Sequence, residues 1–185
     1  MNICIKKTKI QGCYILQLPK TEDKRGNFSR LFCLKEIENK KLKFNIKQIN
    51  YSTNKGSQIV RGIHFQYGLG LEKKIVICLE GKIFDVVVDL RPYSQSYKQV
   101  ETFTLSSNNK AILIDKGCGH GYQTLKENSK LLYFHSNFYM PKYESGIIYN
   151  DKTLSIDWPY PVKQISERDK KFKSFKHFEM ASYEM

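Results

Sequence analysis

Two apolar runs constrain this chain more than anything else in it: 75–79 (Ile-Val-Ile-Cys-Leu) and 82–90 (Lys-Ile-Phe-Asp-Val-Val-Val-Asp-Leu), parted only by Glu80-Gly81. Their Ile, Val and Phe content favours extended backbone, and the short step between them predicts a β-hairpin. Further short strands are expected at 12–16, 28–32, 44–52, 100–105, 111–114 and 131–134. In 44–52 the residues Phe44, Ile46, Gln48 and Asn50 share one side, as in a half-buried strand. Turn signals fall at Arg25-Gly26, at 53–57 and at 106–109, and 117–122 (Gly-Cys-Gly-His-Gly-Tyr) reads as a glycine-rich bend. Helix is sparse. Charges at helical spacing predict a short helix within 34–43. Ser166-Glu167-Arg168-Asp169 reads as a helix start with Ser166 as N-cap, and Phe172, Phe175 and Phe178 recur along a short C-terminal helix. Many short strands at this spacing imply an all-β sandwich or jelly-roll barrel with short peripheral helices. With no repeat or linker in view, residues 1–185 are expected to form one domain.

Composition narrows the function. Thirty-one basic against eighteen acidic residues give a formal charge of +13. Such an excess suits nucleic acid or a smaller polyanion such as a nucleotide diphosphate. The lysines are spread along the whole chain and no nucleic-acid motif accompanies them, so no nucleic-acid partner is expected. No apolar run approaches a membrane span, and residues 1–20 lack a signal-peptide core, so the expected location is the cytoplasm. Five cysteines without a CxxC pair fit neither a disulfide framework nor a zinc knuckle. Cys118 places a thiol near His120, a pair that nucleophilic catalysis could use.

The chemistry centres on Arg61-Gly62-Ile63-His64-Phe65-Gln66, with Lys74 following. In a strand, Gly62, His64 and Gln66 share one face while Ile63 and Phe65 share the other, so a core would take the second pair and a polar cavity the first. An imidazole there is either a proton carrier near neutral pH or a core histidine with a satisfied hydrogen bond. A metal-binding jelly roll would need a tighter cluster of histidines and carboxylates; here the residue two after His64 is Gln66 and the following strand brings Lys74, whose ammonium repels a cation. No metal is expected. Acid–base chemistry instead needs a base, a cation for a developing oxyanion and a separate proton donor. His64 and Lys74 supply the first two. Tyr133, on one strand face with Leu131 and His135, is a candidate for the third.

Asp23-Lys24-Arg25-Gly26, Gln48-Ile49-Asn50-Tyr51-Ser52, the His64 stretch, Phe84 to Arg91, Gly119-His120-Gly121-Tyr122, Tyr133, Tyr139-Met140-Pro141, Tyr149-Asn150-Asp151, Ile156-Asp157-Trp158-Pro159 and Ser166-Glu167-Arg168-Asp169 run in order along the chain. Together they resemble the dTDP-4-dehydrorhamnose 3,5-epimerase family over most of its length. The resemblance implies a cupin-like jelly roll acting as a homodimer, without cofactor, on a nucleotide-linked 4-keto-6-deoxyhexose in deoxysugar and polysaccharide synthesis. It implies His64 as base, Lys74 as enolate stabiliser, Tyr133 as proton donor and Asp169 as partner of the histidine. Asp85 is a second carboxylate that could pair with an active-site histidine, and the sequence leaves that choice open. By the same resemblance Arg61 binds pyrophosphate, Gln48, Asn50, His120 and Tyr139 line the cleft, Arg25 reaches the nucleotide partly across the dimer, and Arg168 approaches the phosphates. Arg30 stands where the family usually carries a glutamate near the nucleotide. Inversion of C3 alone, a different nucleotide sugar or heptose, and a non-catalytic sugar-binding cupin are the alternatives.

Overall fold

The computed structural model describes residues 2–107 and 109–180. Its strands, in chain order, are β1 (Cys4–Lys7), β2 (Tyr14–Gln17), β3 (Lys20–Asp23), β4 (Gly26–Ser29), β5 (Gln48–Thr53), β6 (Val60–Gln66), β7 (Lys74–Glu80), β8 (Lys82–Asp89), β9 (Val100–Ser106), β10 (Lys110–Ile114), β11 (Cys118–Thr124), β12 (Lys130–His135) and β13 (Glu144–Gly146). Three short helices sit around them: α1 (Leu34–Asn39), α2 (Glu167–Lys170) and α3 (Phe175–Met180). The strands form a six-stranded sheet, order β1-β2-β10-β7-β12-β5, and a five-stranded sheet, order β13-β6-β11-β8-β9; β3 and β4 pair as a separate two-stranded arm. This is the expected cupin-like jelly roll.

Strand alternation generates three apolar layers. Val76 and Cys78 of β7 and Leu131 of β12 meet Ile83 and Val87 of β8 and Cys118 of β11 between the sheets. Their neighbours Ile75, Ile77 and Phe134 face outward, under Ile37 of α1 and the N-terminal segment. On the far side, Ile63, Phe65, Val86 and Val88 are covered by Ile147, Leu154 and the α3 residues Phe175 and Phe178. Both faces of β7 and β8 are therefore dry, which is why those runs are continuously apolar.

That double burial also explains why the hairpin expectation fails. β7 pairs with β10 and β12, and β8 with β11 and β9. Glu80-Gly81 is a tight turn, but it carries the chain from one sheet to the other. Gly81 takes φ +80°, and the space a Cβ would need is filled by Ser129, whose hydroxyl accepts the Lys82 N–H at 3.3 Å. With both faces apolar, nothing in the pattern says which sheet a run joins. The step from β9 to β10 crosses between the sheets as well; Asn108 of the expected turn lies outside the described residues.

Other boundaries differ. The bend expected at 117–122 is the buried strand β11, where the glycines serve a close approach: a Cβ on Gly121 would lie 2.6 Å from Ile63 Cδ1 and 2.9 Å from the Arg61 carbonyl oxygen. Phe44 is buried in the outer layer, and regular pairing begins only at Gln48. β4 stops at Ser29 and α1 at Asn39. The Ser166 N-cap is present, its Oγ accepting the Asp169 N–H at 3.0 Å. Phe172 falls between α2 and α3, outside both helices, because Lys173 leaves the helical path to bridge Ile147. Among the described residues no helix is long and apolar enough to cross a membrane.

Candidate active site

A cavity of about 540 Å³ opens between the two sheets, where polar side chains replace the central apolar layer. One wall is β6. His64 pairs with His120 of β11 and Arg61 with Tyr122, so three steps along β6 match two along β11. This bulge turns Arg61 onto the face of His64, which a regular strand would not do. Gly62 makes it feasible: its φ is +112°, and a Cβ there would sit 2.6 Å from Gly121 Cα. Ile63 and Phe65 point into the far layer beneath α3, leaving His64 and Gln66 to the cavity.

His64 Nε2 lies 2.9 Å from Asp169 Oδ1, and Asp169 Oδ2 accepts the Gly62 N–H at 3.0 Å. The N-capped turn of α2 thus fixes both the His64 ring and the bulge beside it. Burial pushes the Asp169 carboxyl up, but the His64 bond and charge, the Gly62 N–H and Ser166 outweigh it and bring the value to about 2. A carboxylate on Nε2 fixes the tautomer, so Nδ1 is the nitrogen left to take a proton. The Arg168 guanidinium stands 3.2 Å from Nε2 and donates to Glu144 at 2.7 Å, while the Tyr139 hydroxyl donates to the same Glu144 oxygen at 2.8 Å. Phe172 packs edge-on against the His64 ring, with centroids 5.6 Å apart.

The facing wall comes from the other sheet. Lys74, Tyr133 and His135 project from β7 and β12, and Gln48 and Asn50 from the edge strand β5. Burial, with a hydrogen bond to Tyr122 and the nearby Asp85 charge, pushes the Tyr133 phenol well above its usual value, so it stays protonated. Its ring meets His120 edge-on, with centroids 6.3 Å apart, and His120 Nε2 lies 2.8 Å from Asp85 Oδ2. The two carboxylates weighed from sequence therefore serve different histidines, Asp169 with His64 and Asp85 with His120. Arg61 Nε donates to Asn54 Oδ1 at 3.0 Å, which also accepts from the Tyr122 hydroxyl at 3.2 Å.

Of the residues singled out from sequence, His64, Lys74, Tyr133, Gln48, Asn50, Arg61, His120, Tyr139 and Arg168 all line this cavity, with Asp169 directly behind His64. Arg25 does not: it sits on the β3–β4 arm, 90% exposed and bound to Asp23. Arg30 pairs with Glu36 at 2.6 Å. Cys118 is in the central core with its Sγ 3.9 Å from that of Cys13; that contact and burial push its thiol well above the usual range, which removes it as a nucleophile. Sequence reasoning missed Glu72, Tyr122, His135 and Glu144, all in the cavity wall. Period-two spacing from Lys74 and Tyr133 would have flagged Glu72 and His135. Among the described residues no three His, Cys, Asp or Glu side chains converge as a metal site.

Ionisable groups on two facing walls of a cupin-like jelly roll, His64 on one and Lys74 and Tyr133 on the other, suit an isomerase of the acid–base class. The comparisons give its family. The sequence profile described as dTDP-4-dehydrorhamnose 3,5-epimerase matches residues 7–177. A dTDP-4-dehydrorhamnose 3,5-epimerase of Salmonella typhimurium is 36% identical over 168 residues, covering 88% of this chain and 90% of that protein. The crystal structure of the enzyme of that name from Elizabethkingia anophelis superposes with a TM-score of 0.89 at 33% identity, over 96% of this chain and 98% of its own. A dTDP-6-deoxy-D-glucose-3,5-epimerase from Legionella pneumophila, in complex with dTDP-4-keto-L-rhamnose, does so with a TM-score of 0.89 at 31% identity, over 95% and 94% of the two chains. This chain belongs to the dTDP-4-dehydrorhamnose 3,5-epimerase family.

Proposed function

We propose that the chain inverts C3 and C5 of a nucleotide-linked 4-keto-6-deoxyhexose, converting dTDP-4-dehydro-6-deoxy-D-glucose to dTDP-4-dehydro-L-rhamnose for deoxysugar synthesis. The observation that carries this is the placement of His64 and Tyr133 on opposing sheets across one cavity. Inverting a carbon requires a proton to leave one face and another to arrive on the opposite face, and this cavity has a base on one wall and an acid on the other.

The C4 ketone acidifies the hydrogens on C3 and C5. His64 Nδ1 takes a proton from the carbon, the C–H electron pair moves into the C4 carbonyl, and an enolate forms. Asp169 holds the resulting imidazolium. The Lys74 ammonium meets the negative C4 oxygen, an electrostatic stabilisation that strengthens as charge develops. Tyr133 then delivers its hydroxyl proton to the opposite face, the enolate collapses back to the ketone, and solvent restores both groups. Arg61 and Arg168 bind the pyrophosphate, as planar guanidiniums suit phosphate oxygens, with Gln48, Asn50, His120 and Tyr139 shaping the rest of the cleft. In this reading the protein works in the cytoplasm as a homodimer, and Arg25 on its projecting arm serves the nucleotide of a neighbouring protomer.

The test is solvent deuterium. The protein is incubated in D2O with dTDP-4-keto-6-deoxyglucose, and the sugar carbons are read by NMR and mass. Deuterium at both C3 and C5 is expected. Deuterium at C3 alone would make the protein a single-centre epimerase, and none at either carbon from folded protein would refute the substrate.

A further inference from the structure

Lys74 does not stand alone in the cavity. Its ammonium lies 3.2 Å from Glu72 Oε1, and the other oxygen of that carboxylate, Oε2, lies 2.8 Å from His135 Nδ1. All three side chains are nearly buried, at 12% exposure for Lys74 and His135 and 6% for Glu72. Burial pushes the Glu72 carboxyl up, but the His135 bond and the Lys74 charge more than offset it, so it is held below its ordinary value and stays ionised. A buried carboxylate against the cation that should meet an enolate is a paradox, since it cancels the charge the reaction needs. Its second partner resolves it.

We propose that Glu72 positions the Lys74 ammonium, and that protonation of His135 releases that ammonium's charge to the substrate. This rests on the enolate mechanism proposed above. His135 Nε2 lies 3.3 Å from Asn50 Nδ2 and accepts from it, which assigns the ring proton to Nδ1, donating to Glu72. In that state Lys74 and Glu72 sum to zero. A second proton, on Nε2, makes the His135 ring cationic while Nδ1–H keeps its bond to Glu72, so the three groups together carry a net positive charge at this end of the cavity. Nε2–H then needs an acceptor. A turn of the Asn50 amide supplies its Oδ1, which in the present arrangement accepts from Gln48 Nε2 at 3.0 Å.

The groups facing His135 allow this assignment. From the β7 side come Glu72 and Lys74, from β5 only the neutral Gln48 and Asn50, and from β12 itself Tyr133, stacked at 6.0 Å and held protonated. On the far wall Arg61 is tied to Asn54, and Arg168 has its own carboxylate in Glu144, which also accepts from Tyr139. His64 has Asp169. Glu72 is the one carboxylate shared by Lys74 and His135, and it couples them.

The experiment follows C3 exchange and kcat from about pH 5.5 to about pH 9, a span that brackets ordinary imidazole ionisation, for wild type, His135→Gln, Glu72→Gln, Glu72→Ala and the Glu72→Gln/His135→Gln double variant. Wild type should exceed His135→Gln by about tenfold at the acid end, with the ratio falling toward one as pH rises. In the Glu72→Gln background the effect of His135→Gln should lose its pH dependence. Glu72→Ala should lower kcat about tenfold with KM little changed, and Glu72→Gln, whose amide oxygen can still hold the ammonium, should recover most of that loss. A wild type to His135→Gln ratio constant with pH would reduce His135 to packing, and an unchanged kcat in Glu72→Ala would remove Glu72 as a positioning residue; either overturns the inference while exchange by wild type, absent in His64→Ala, leaves the function standing. No exchange by wild type at any pH would overturn the function and the inference together.

Discussion

Asp169→Asn offers the most direct test of how the base is held. The replacement keeps the shape but removes the charge and one of two accepting oxygens. Asp169 now accepts from both His64 Nε2 and the Gly62 N–H; an amide can accept from only one. If its oxygen serves Gly62, its NH2 faces Nε2 and drives the imidazole proton to Nδ1, the nitrogen that receives the substrate proton in the proposed mechanism. The size of the effect follows from the carboxyl itself. It sits at about 2 against an ordinary 3.8, a gap worth about 2 kcal/mol at roughly 1.4 kcal/mol per pH unit. Burial works in the opposite direction, so the favourable contacts together exceed that figure. A pair interaction belongs to both members, and the imidazolium formed during proton abstraction loses its share when the carboxylate goes. About 2 kcal/mol is about thirtyfold in rate, and the tautomer change adds to it. C3 exchange in D2O, read by NMR on protein shown to be folded by circular dichroism, should therefore fall at least about thirtyfold, with dTDP affinity by calorimetry within about twofold of wild type. A loss of less than threefold would refute the reasoning, because the carboxylate would then be a capping residue of α2 and nothing more.

Four further outcomes are expected. Tyr133→Phe should slow product formation far more than deuterium wash-in at C3; equal losses in both would separate Tyr133 from proton return. Arg61→Ala should weaken dTDP binding about tenfold or more by calorimetry, while unchanged affinity would end its phosphate role. Gly121→Ala should cost about 1–3 kcal/mol in urea denaturation, since the added Cβ would meet Ile63 Cδ1 at 2.6 Å. The last concerns acid. The folded-state value of Asp169, about 2, lies below its ordinary 3.8, so its contribution is complete above the ordinary value and drains away as pH falls toward the folded one. Thermal melts of wild type should drop across that window, and Asp169→Asn should start lower at neutral pH and drop less.

How much of this was legible in the sequence depends on which property carried it. The His64 stretch showed its two faces because Ile63 and Phe65 contrast with Gly62, His64 and Gln66, and a contrast in polarity survives in sequence. β7 and β8 have no such contrast: both faces are buried, so the pattern announces strands but not partners, and the crossing at Gly81 was hidden. β11 was hidden for another reason. Its glycines are there because β6 approaches closely at Ile63 and Arg61, a tertiary demand that looks like a local turn signal, and reading it as a bend concealed Tyr122. Arg61 entered the cavity face only through the bulge, which strict alternation could not foresee. Arg25 was named from the family resemblance, but its position on a two-stranded arm away from the cavity is a matter of topology.

The crossing at Glu80-Gly81 has a consequence for stereochemistry. Because that turn changes sheets, the strand carrying Lys74 and the strands carrying His64 and His120 belong to different walls, and the gap between walls is kept by Val76, Cys78, Val87 and Leu131, which are buried between the sheets and do not line the cavity. In the proposed mechanism handedness at the reacting carbon becomes a spacing: a sugar ring held in the gap would present one face to each wall, and the carbon level with both His64 and Tyr133 would be the one inverted. On that mechanism, whether one centre or two are inverted depends on how far the sugar can slide or flip along the gap, whose width the buried residues between the sheets set.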